Sequence, residues 1–501
     1  MSYATVRSCT LSGISALPVT VEVHLGGGLP GMSIVGLPQS AVRESKDRVK
    51  AAIMYSNFEY PQSKIVVNLA PADLPKQGGR FDLPIALGVL VATGQLAERT
   101  LQNMIVVGEL GLTGSIRSVS GALPTALAFY NSSLSLLMPA VNKQEAMLSA
   151  SDQLHFAADL YLLVEQLKNK KLLPVKHLSN KKKLENEDGA SRADMSDVRG
   201  QQRARRAMEI AAAGAHNILM VGPPGTGKSM LASRMPSIQP VMTQRESTET
   251  ASVQSISHTG FHESTWGVRP FRAPHHTASG VALVGGGPTP MPGEISLAHN
   301  GVLFLDELSE FPRHVLDVLR EPMETGSISI SRAAKQSRFP ARFQLVAAMN
   351  PCPCGYNGDP DILCRCTPDQ IARYAMRVSG PFLDRIDLHV HVARLSREVF
   401  NSTEVEESSE TIRIRVSTAR AVQLKRQRQS NNLLSGKLLA EFAAIDSDTR
   451  QLLDEATDKL ALSLRAVHRV LRVSRTIADL EQCVALQSSH VVEALSYRQR
   501  R

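Results

Sequence analysis

No stretch constrains this chain more than the octapeptide GPPGTGKS, Gly222 to Ser229. It follows the apolar run Ile218 to Val221 and precedes a helix start at Met230 to Arg234, the strand–loop–helix setting of a phosphate-binding P-loop in an α/β sheet. Gly222, Gly225 and Gly227, with Pro223, Pro224 and Thr226 between them, let the backbone turn tightly and aim its N–H groups at phosphate oxygens. Lys228 is expected to reach the β- and γ-phosphates of ATP, and Ser229 to ligate Mg²⁺.

Two later apolar runs read as buried parallel strands that end in polar residues. Val302 to Leu305 ends in Asp306 and Glu307, where open α/β sheets carry their ligand chemistry. Asp306 is expected in the Mg²⁺ shell and Glu307 to polarise an attacking water. Leu345 to Met349 ends in Asn350, a neutral amide suited to orient that water or sense the γ-phosphate.

Composition narrows the class. The 501 residues allow two or three domains, and 43% hydrophobic with 21% charged residues is ordinary for a soluble protein. No run of about 18 apolar residues exists, so no membrane span or membrane partner is expected. The first residues, MSYATVRSCTLSGI, lack a secretory apolar core, and a cytoplasmic location is expected. A net charge of +9 favours an anionic partner without naming one.

Patterning divides the chain into an α+β segment over 1–168, a polar charged linker over 169–193, a P-loop unit over 194–393 and a helical lid over 394–501. Gly326 to Phe343 alternates, breaks at AAKQ and resumes, which predicts a β-hairpin carrying Arg332, Lys335, Arg338 and Arg342 without an acidic residue. On its residues alone it reads as an exposed hairpin with solvated charges. In the lid, Thr411 to Gln429 holds Arg413, Arg415, Arg420, Lys425, Arg426 and Arg428, equally readable as a DNA path or a solvated face.

Cys352, Cys354, Cys364 and Cys366 form C-P-C-x₉-C-R-C. Two close thiolate pairs suit a structural Zn²⁺, although one intervening residue is fewer than the usual two to four; free or redox-labile thiols are the other reading. Cys9 and Cys483 stand alone and are expected as buried apolar fillers.

These residues resemble a family. SDVRGQQRARRAMEIAAAGAHNILMVGPPGTGKS, Ser196 to Ser229, looks like the start of an AAA+ module. RPFRAPHHTASGVALVGGGPTPMPGEISLAHNGVLFLDEL, Arg269 to Leu308, resembles the magnesium-chelatase-like branch, and the whole chain is similar to the ComM/YifB family. The resemblance implies an ATPase that works as a homo-oligomeric, hexameric ring and drives sequence-independent DNA branch migration on single-stranded or branched DNA in natural transformation. PFLDRIDLHV, Pro381 to Val390, resembles the arginine-finger region, so Arg385 is expected at a neighbour's γ-phosphate, or else in an ion pair with Asp384 or Asp387. LSLRAVHRVLRVSRTIADL resembles the sensor-2 helix, with Arg465 as the phosphate contact and Arg469 and Arg472 as structural alternatives. Val198 to Gln201 is expected near the adenine. The resemblance also places the basic hairpin in the ring's pore and in contact with phosphates, with Lys335 nearest its tip.

Asn68 to Leu90 and Gly108 to Leu127 resemble a Lon-protease-like fold, whose peptidases use a Ser–Lys dyad. Arg80 stands where the serine belongs, and Ser118 to Tyr130 contains no lysine. Without nucleophile and base there is no peptidase chemistry, and the domain reads as a scaffold whose partner is DNA, a recombination protein or a neighbouring subunit. Two other functions stay open: a chelatase motor subunit for metal insertion and an ATP-dependent protein remodeller.

Overall fold

The computed structural model describes residues 2–175, 193–287, 290–332, 335–395 and 406–498, with the backbone alone at 331, 332, 335 and 336. Most of the expected linker, 176–192, therefore lies outside the described residues. The chain divides into two compact units, Met1–Glu185 with Thr248–Trp266, and Asn186–Ser247 with Gly267–Arg501.

The first unit is built on a seven-stranded mixed sheet in the order Gly31–Val35, Lys64–Ala70, Ser15–Gly26, Tyr3–Ser12, Met104–Val106, Ser135–Pro139, Leu154–Ala157. Tyr3–Ser12 and Ser15–Gly26 form a tight antiparallel hairpin, and Met104–Val106 joins Tyr3–Ser12 in parallel. Inward positions such as Val19, Val21 and Val23 alternate along their strand and meet the helix Asp82–Ala92, every residue of which is buried. The sequence reading gave Thr248–Trp266 to the P-loop core. Instead it packs in this unit, where Ser255 Oγ donates to Glu145 and Gly121 N donates to Ser255 O at 3.1 Å.

The second unit holds a five-stranded parallel sheet ordered Phe271–Arg272, Val302–Leu305, Gln344–Met349, Ile218–Val221, Leu388–His391. Because all strands run one way, the three apolar runs singled out in the sequence end on the same edge, side by side. Val302–Leu305 is buried at every position, as expected of a strand covered on both faces. The helices Ser409–Gln427 and Leu464–Leu480 bury Ile412, Val416, Val473 and Ile477 in one core with the sheet and with the helix Gln202–Gly214. Among the described residues, no helix is long and apolar enough to cross a membrane.

Candidate nucleotide site, cysteine knuckle and basic hairpin

The glycine loop is shaped by what stands behind it. A Cβ at Gly222 would lie 2.1 Å from the Val392 carbonyl oxygen, so the loop passes the neighbouring strand's exit at a distance that only glycine allows. Gly227, with φ +87°, turns the chain into the helix Lys228–Ile238. Thr226 Oγ1 ties the loop to itself by donating to Pro223 O at 2.9 Å.

Lys228 is only 8% exposed, and burial lowers its pKa although Asp306 counteracts this. Its ammonium donates to Gly222 O and Pro223 O, both at 2.8 Å, and to Asn350 Oδ1 at 3.3 Å. Ser229 Oγ donates to Asp306 Oδ2 at 2.6 Å. Lys228, Ser229, Asp306 and Asn350 thus meet at the ends of three adjacent strands. Gln201 Nε2, which donates to Thr226 O at 3.4 Å and Ala393 O at 2.7 Å, fixes the Val198–Gln201 segment beside the loop, with Val198 buried.

Glu307 adopts a left-handed backbone, φ +51°, a conformation costly for a side chain with a Cβ and characteristic of functional turns. Its carboxylate is paired with His276 Nδ1 at 3.1 Å, and the His276 ring lies tilted against His275 with centroids 4.1 Å apart. In the sequence both histidines stand within the Arg269 to Leu308 stretch, where nothing local marks His276 as a partner of Glu307.

The arginines sort differently from their spacing. Arg385 is not paired with Asp387: that carboxylate accepts from Arg469 Nη1 at 2.5 Å. Burial pushes the Asp387 carboxyl up, but Arg469 and His216 outweigh it and hold it well below the usual carboxylate range. Arg385 Nη2 instead reaches Glu324 Oε1 at 2.7 Å, and Arg465 Nη2 stands 3.9 Å from the same oxygen. Arg472 donates to Leu434 O at 2.6 Å. Arg469 and Arg472 therefore take the structural alternative.

The basic lid stretch is largely used internally. Arg415 pairs with Glu209 and Glu407, Arg426 with Asp479, and Arg413 with Glu410. Arg420 is half-buried, donates to Ala212 O and Ala213 O at 2.9 Å, and desolvation pushes it down to about 10. Arg415, Arg420 and Arg426 are thus held by partners from elsewhere in the unit, whereas Arg413 and Glu410 form an exposed pair on one helix, as on a solvated face.

The four cysteine sulfurs lie within 4.8 Å of one another. The separations are 3.3 Å for Cys352–Cys354, 3.7 Å for Cys352–Cys364 and 3.5 Å for Cys354–Cys364. A tetrahedral site with Zn–S bonds of about 2.3 Å has sulfur–sulfur edges of about 3.8 Å, so the donor set fits Zn²⁺. Backbone N–H groups of Tyr356 and Arg365 pull the Cys354 thiol down to about 6. A backbone N–H also lowers Cys364 and Cys366, but burial and the neighbouring thiols outweigh it, so Cys364 is pushed up to about 12 and Cys366 is raised as well. A Cβ on Gly355 would meet Pro224 Cδ at 2.7 Å, so the knuckle abuts the glycine loop. Cys9 is buried as expected. Cys483 is half-buried near Glu481 and His490, but His490 Nδ1 accepts from Gln487 N at 3.0 Å, which leaves Nε2–H to donate to Glu481 and no lone pair for a metal.

The hairpin is present. Ser327–Arg332 pairs antiparallel with Lys335–Pro340, and Arg332 faces Lys335 in the final register position. Its tip, 333–334, and the side chains of Arg332 and Lys335 lie outside the described residues. Arg338 donates through Nε and Nη2 to Ser327 Oγ at 3.0 and 2.8 Å, which draws its charge toward the stem.

In the first unit, Arg80 is buried and donates through Nη2 to Thr125 Oγ1 at 3.1 Å. The serine position and the segment expected to carry the lysine are thus adjacent, and they hold an arginine and a threonine.

Three family models match: "Subunit ChlI of Mg-chelatase" over residues 21–142, "Magnesium chelatase, subunit ChlI" over 194–400, and "Magnesium chelatase, subunit ChlI C-terminal" over 406–498. The competence protein ComM of Haemophilus influenzae is 49% identical, over 99% of this chain and 98% of that protein. The uncharacterized protein YifB of Escherichia coli is 46% identical, over 99% and 97%. The magnesium-chelatase 38 kDa subunit of Cereibacter sphaeroides is 28% identical, over 61% of this chain and 92% of its own.

Proposed function

The chain belongs to the ComM/YifB family of magnesium-chelatase-like AAA+ proteins, and from that premise we propose that it is an ATP-hydrolysing DNA motor. In this reading it assembles in the cytoplasm as a hexameric ring and drives branch migration of recombination intermediates in natural transformation. The observation that carries the reading is the meeting of Lys228, Ser229, Asp306 and Asn350 at one sheet edge, in a unit that also presents a basic two-stranded hairpin.

ATP would lie with its phosphates on the backbone N–H groups of Gly225 to Ser229 and its adenine near Val198. Lys228 already stands at the loop with neutral acceptors, which an anionic phosphate oxygen outcompetes. Ser229 and Asp306 would hold Mg²⁺, which screens charge on the β- and γ-phosphates. Glu307, once free of His276, would take a proton from the attacking water while Asn350 orients it. Arg385 of one subunit and Arg465 would complete the phosphate contacts and make turnover depend on assembly.

The four-cysteine knuckle would hold a structural Zn²⁺ that stiffens the exit of the Asn350 strand. The N-terminal unit is proposed as a Lon-like scaffold without a dyad, a reading supported by Arg80 and Thr125 standing together where serine and lysine belong. Arg332, Lys335 and Arg338 would contact the DNA backbone without reading sequence.

A second reading, a chelatase-type motor, is favoured by the descriptions of the matching family models. Salt dependence separates the two. Affinity for single-stranded DNA should fall steeply with salt, and Lys335→Ala should flatten the slope of log K against log salt by about 1. An unchanged slope removes the hairpin from the DNA site, and absence of DNA affinity in the wild type favours the chelatase or protein-remodelling reading.

A further inference from the structure

Glu324 lies on the short helix Arg320–Thr325, which ends at Gly326 and leads directly into the hairpin. Helix and hairpin stem are tied as one piece. Gly326 N donates to Pro322 O, Ala341 N to Gly326 O and Thr325 Oγ1 to Ser327 O, each at 2.9 Å. Ile328 and Phe339 face each other in register and are buried, so the stem is anchored rather than loose. The two paired strands of six residues each span roughly 20 Å by their rise per residue, so a displacement of the hairpin is carried to the helix that bears Glu324.

The same carboxylate oxygen collects both arginines assigned to phosphate: Arg385 at 2.7 Å and Arg465 at 3.9 Å. Arg385 is 8% exposed; its Nη1 donates to Pro381 O at 2.6 Å, and its Nε has no partner among the described residues. With Nη1 on Pro381 O, Nη2 on Glu324 and Nε buried, the outward-facing donor that a phosphate from another subunit would need is already taken by Glu324. Glu324 and a phosphate from another subunit are therefore competitors for Arg385.

We propose that Glu324 is a positioning residue that withholds Arg385 from the neighbouring subunit's ATP until displacement of the hairpin draws the carboxylate away. Arg465, more exposed and farther from the oxygen, is released with it. Glu324 thereby links occupancy of the hairpin by DNA to hydrolysis. This rests on the reading that the hairpin contacts DNA and that Arg385 acts in trans.

The test measures steady-state ATPase of the full chain with and without single-stranded DNA, for the wild type, Glu324→Gln and Glu321→Gln. Glu321 is exposed on the same helix and serves as the control. The wild type and Glu321→Gln should share one stimulation ratio. Glu324→Gln should show a raised DNA-free rate, chiefly in kcat, and a ratio close to unity. Glu324→Asp, which keeps the charge and shortens the reach, should give an intermediate ratio, and circular dichroism verifies that each variant is folded. A Glu324→Gln ratio equal to the wild type's overturns the inference. So does loss of activity in folded Glu324→Gln both with and without DNA, because the carboxylate would then be needed to place the finger. A wild type indifferent to DNA overturns the DNA reading and this inference together, before any variant is compared.

Discussion

The nucleotide loop and the arginine corner lie in one unit, yet they are built by opposite means. The loop takes its form from consecutive residues: glycines that permit close approach, a lysine resting on its own loop's carbonyls, and a serine 2.6 Å from the acidic strand end. The corner gathers Glu324, Arg385, Asp387, Arg465 and Arg469 from segments far apart in the chain, and each arginine meets its carboxylate at the end of a long flexible arm. A site made by backbone is committed before any ligand arrives. One made by long side chains can change partners, which suits a contact that must be made and broken each cycle.

The largest expected effects separate the two regions by binding against turnover. Lys228→Ala should abolish ATP binding in a titration with fluorescent nucleotide, whereas Arg385→Ala should keep binding and lose about 10³-fold or more in hydrolysis. Mixing the two inactive variants should restore part of the activity, since intact loops would then meet intact fingers. No recovery from mixed rings would place Arg385 in its own subunit's site and erase the distinction.

Within the corner, Asp387 should be structural where Glu324 is not. Asp387→Asn should cost about 3–5 kcal/mol in denaturant unfolding, because it leaves Arg469 buried without its anion. The folded carboxyl is held below its unfolded value, so its contribution is complete at neutral pH and is lost as pH falls through and below the ordinary carboxylate range. The variant should therefore lose stability less steeply than the wild type on acidification; parallel acid limbs would show that the pair contributes little.

A smaller effect should come from the knuckle that abuts the loop. Chelation should release about one Zn²⁺ per chain and weaken nucleotide binding a few-fold through Gly355 and Pro224. Freshly purified protein free of zinc in metal analysis would contradict the assignment.

What the sequence disclosed follows the same division. GPPGTGKS, the strand-end Asp306 and Asn350, the hairpin and the cysteine pairs are local patterns, and the structure brings them to the expected elements. His276 on Glu307 was not legible, because the two are 31 positions apart in chain numbering and nothing local marks either as the other's partner. Glu324 was hidden for the same reason. The lid's run of arginines shows the converse hazard. A stretch without acidic residues suggests a free basic face, but Glu209 and Asp479 arrive from distant segments, and Glu407 from just ahead of the stretch, to neutralise it. Charge composition is a property of a segment, whereas electrostatic partnership is a property of the fold. The displaced insertion Thr248–Trp266 teaches the equivalent point for domains, since contiguity in sequence did not decide which core it joined.

The most direct test of a DNA motor is ATP-dependent conversion of a labelled four-way junction, with the wild type beside Glu307→Gln. The account predicts that the wild type converts the junction, while the variant binds ATP and DNA and converts none. Wild-type ATPase activity that is indifferent to DNA and leaves the junction intact would contradict it.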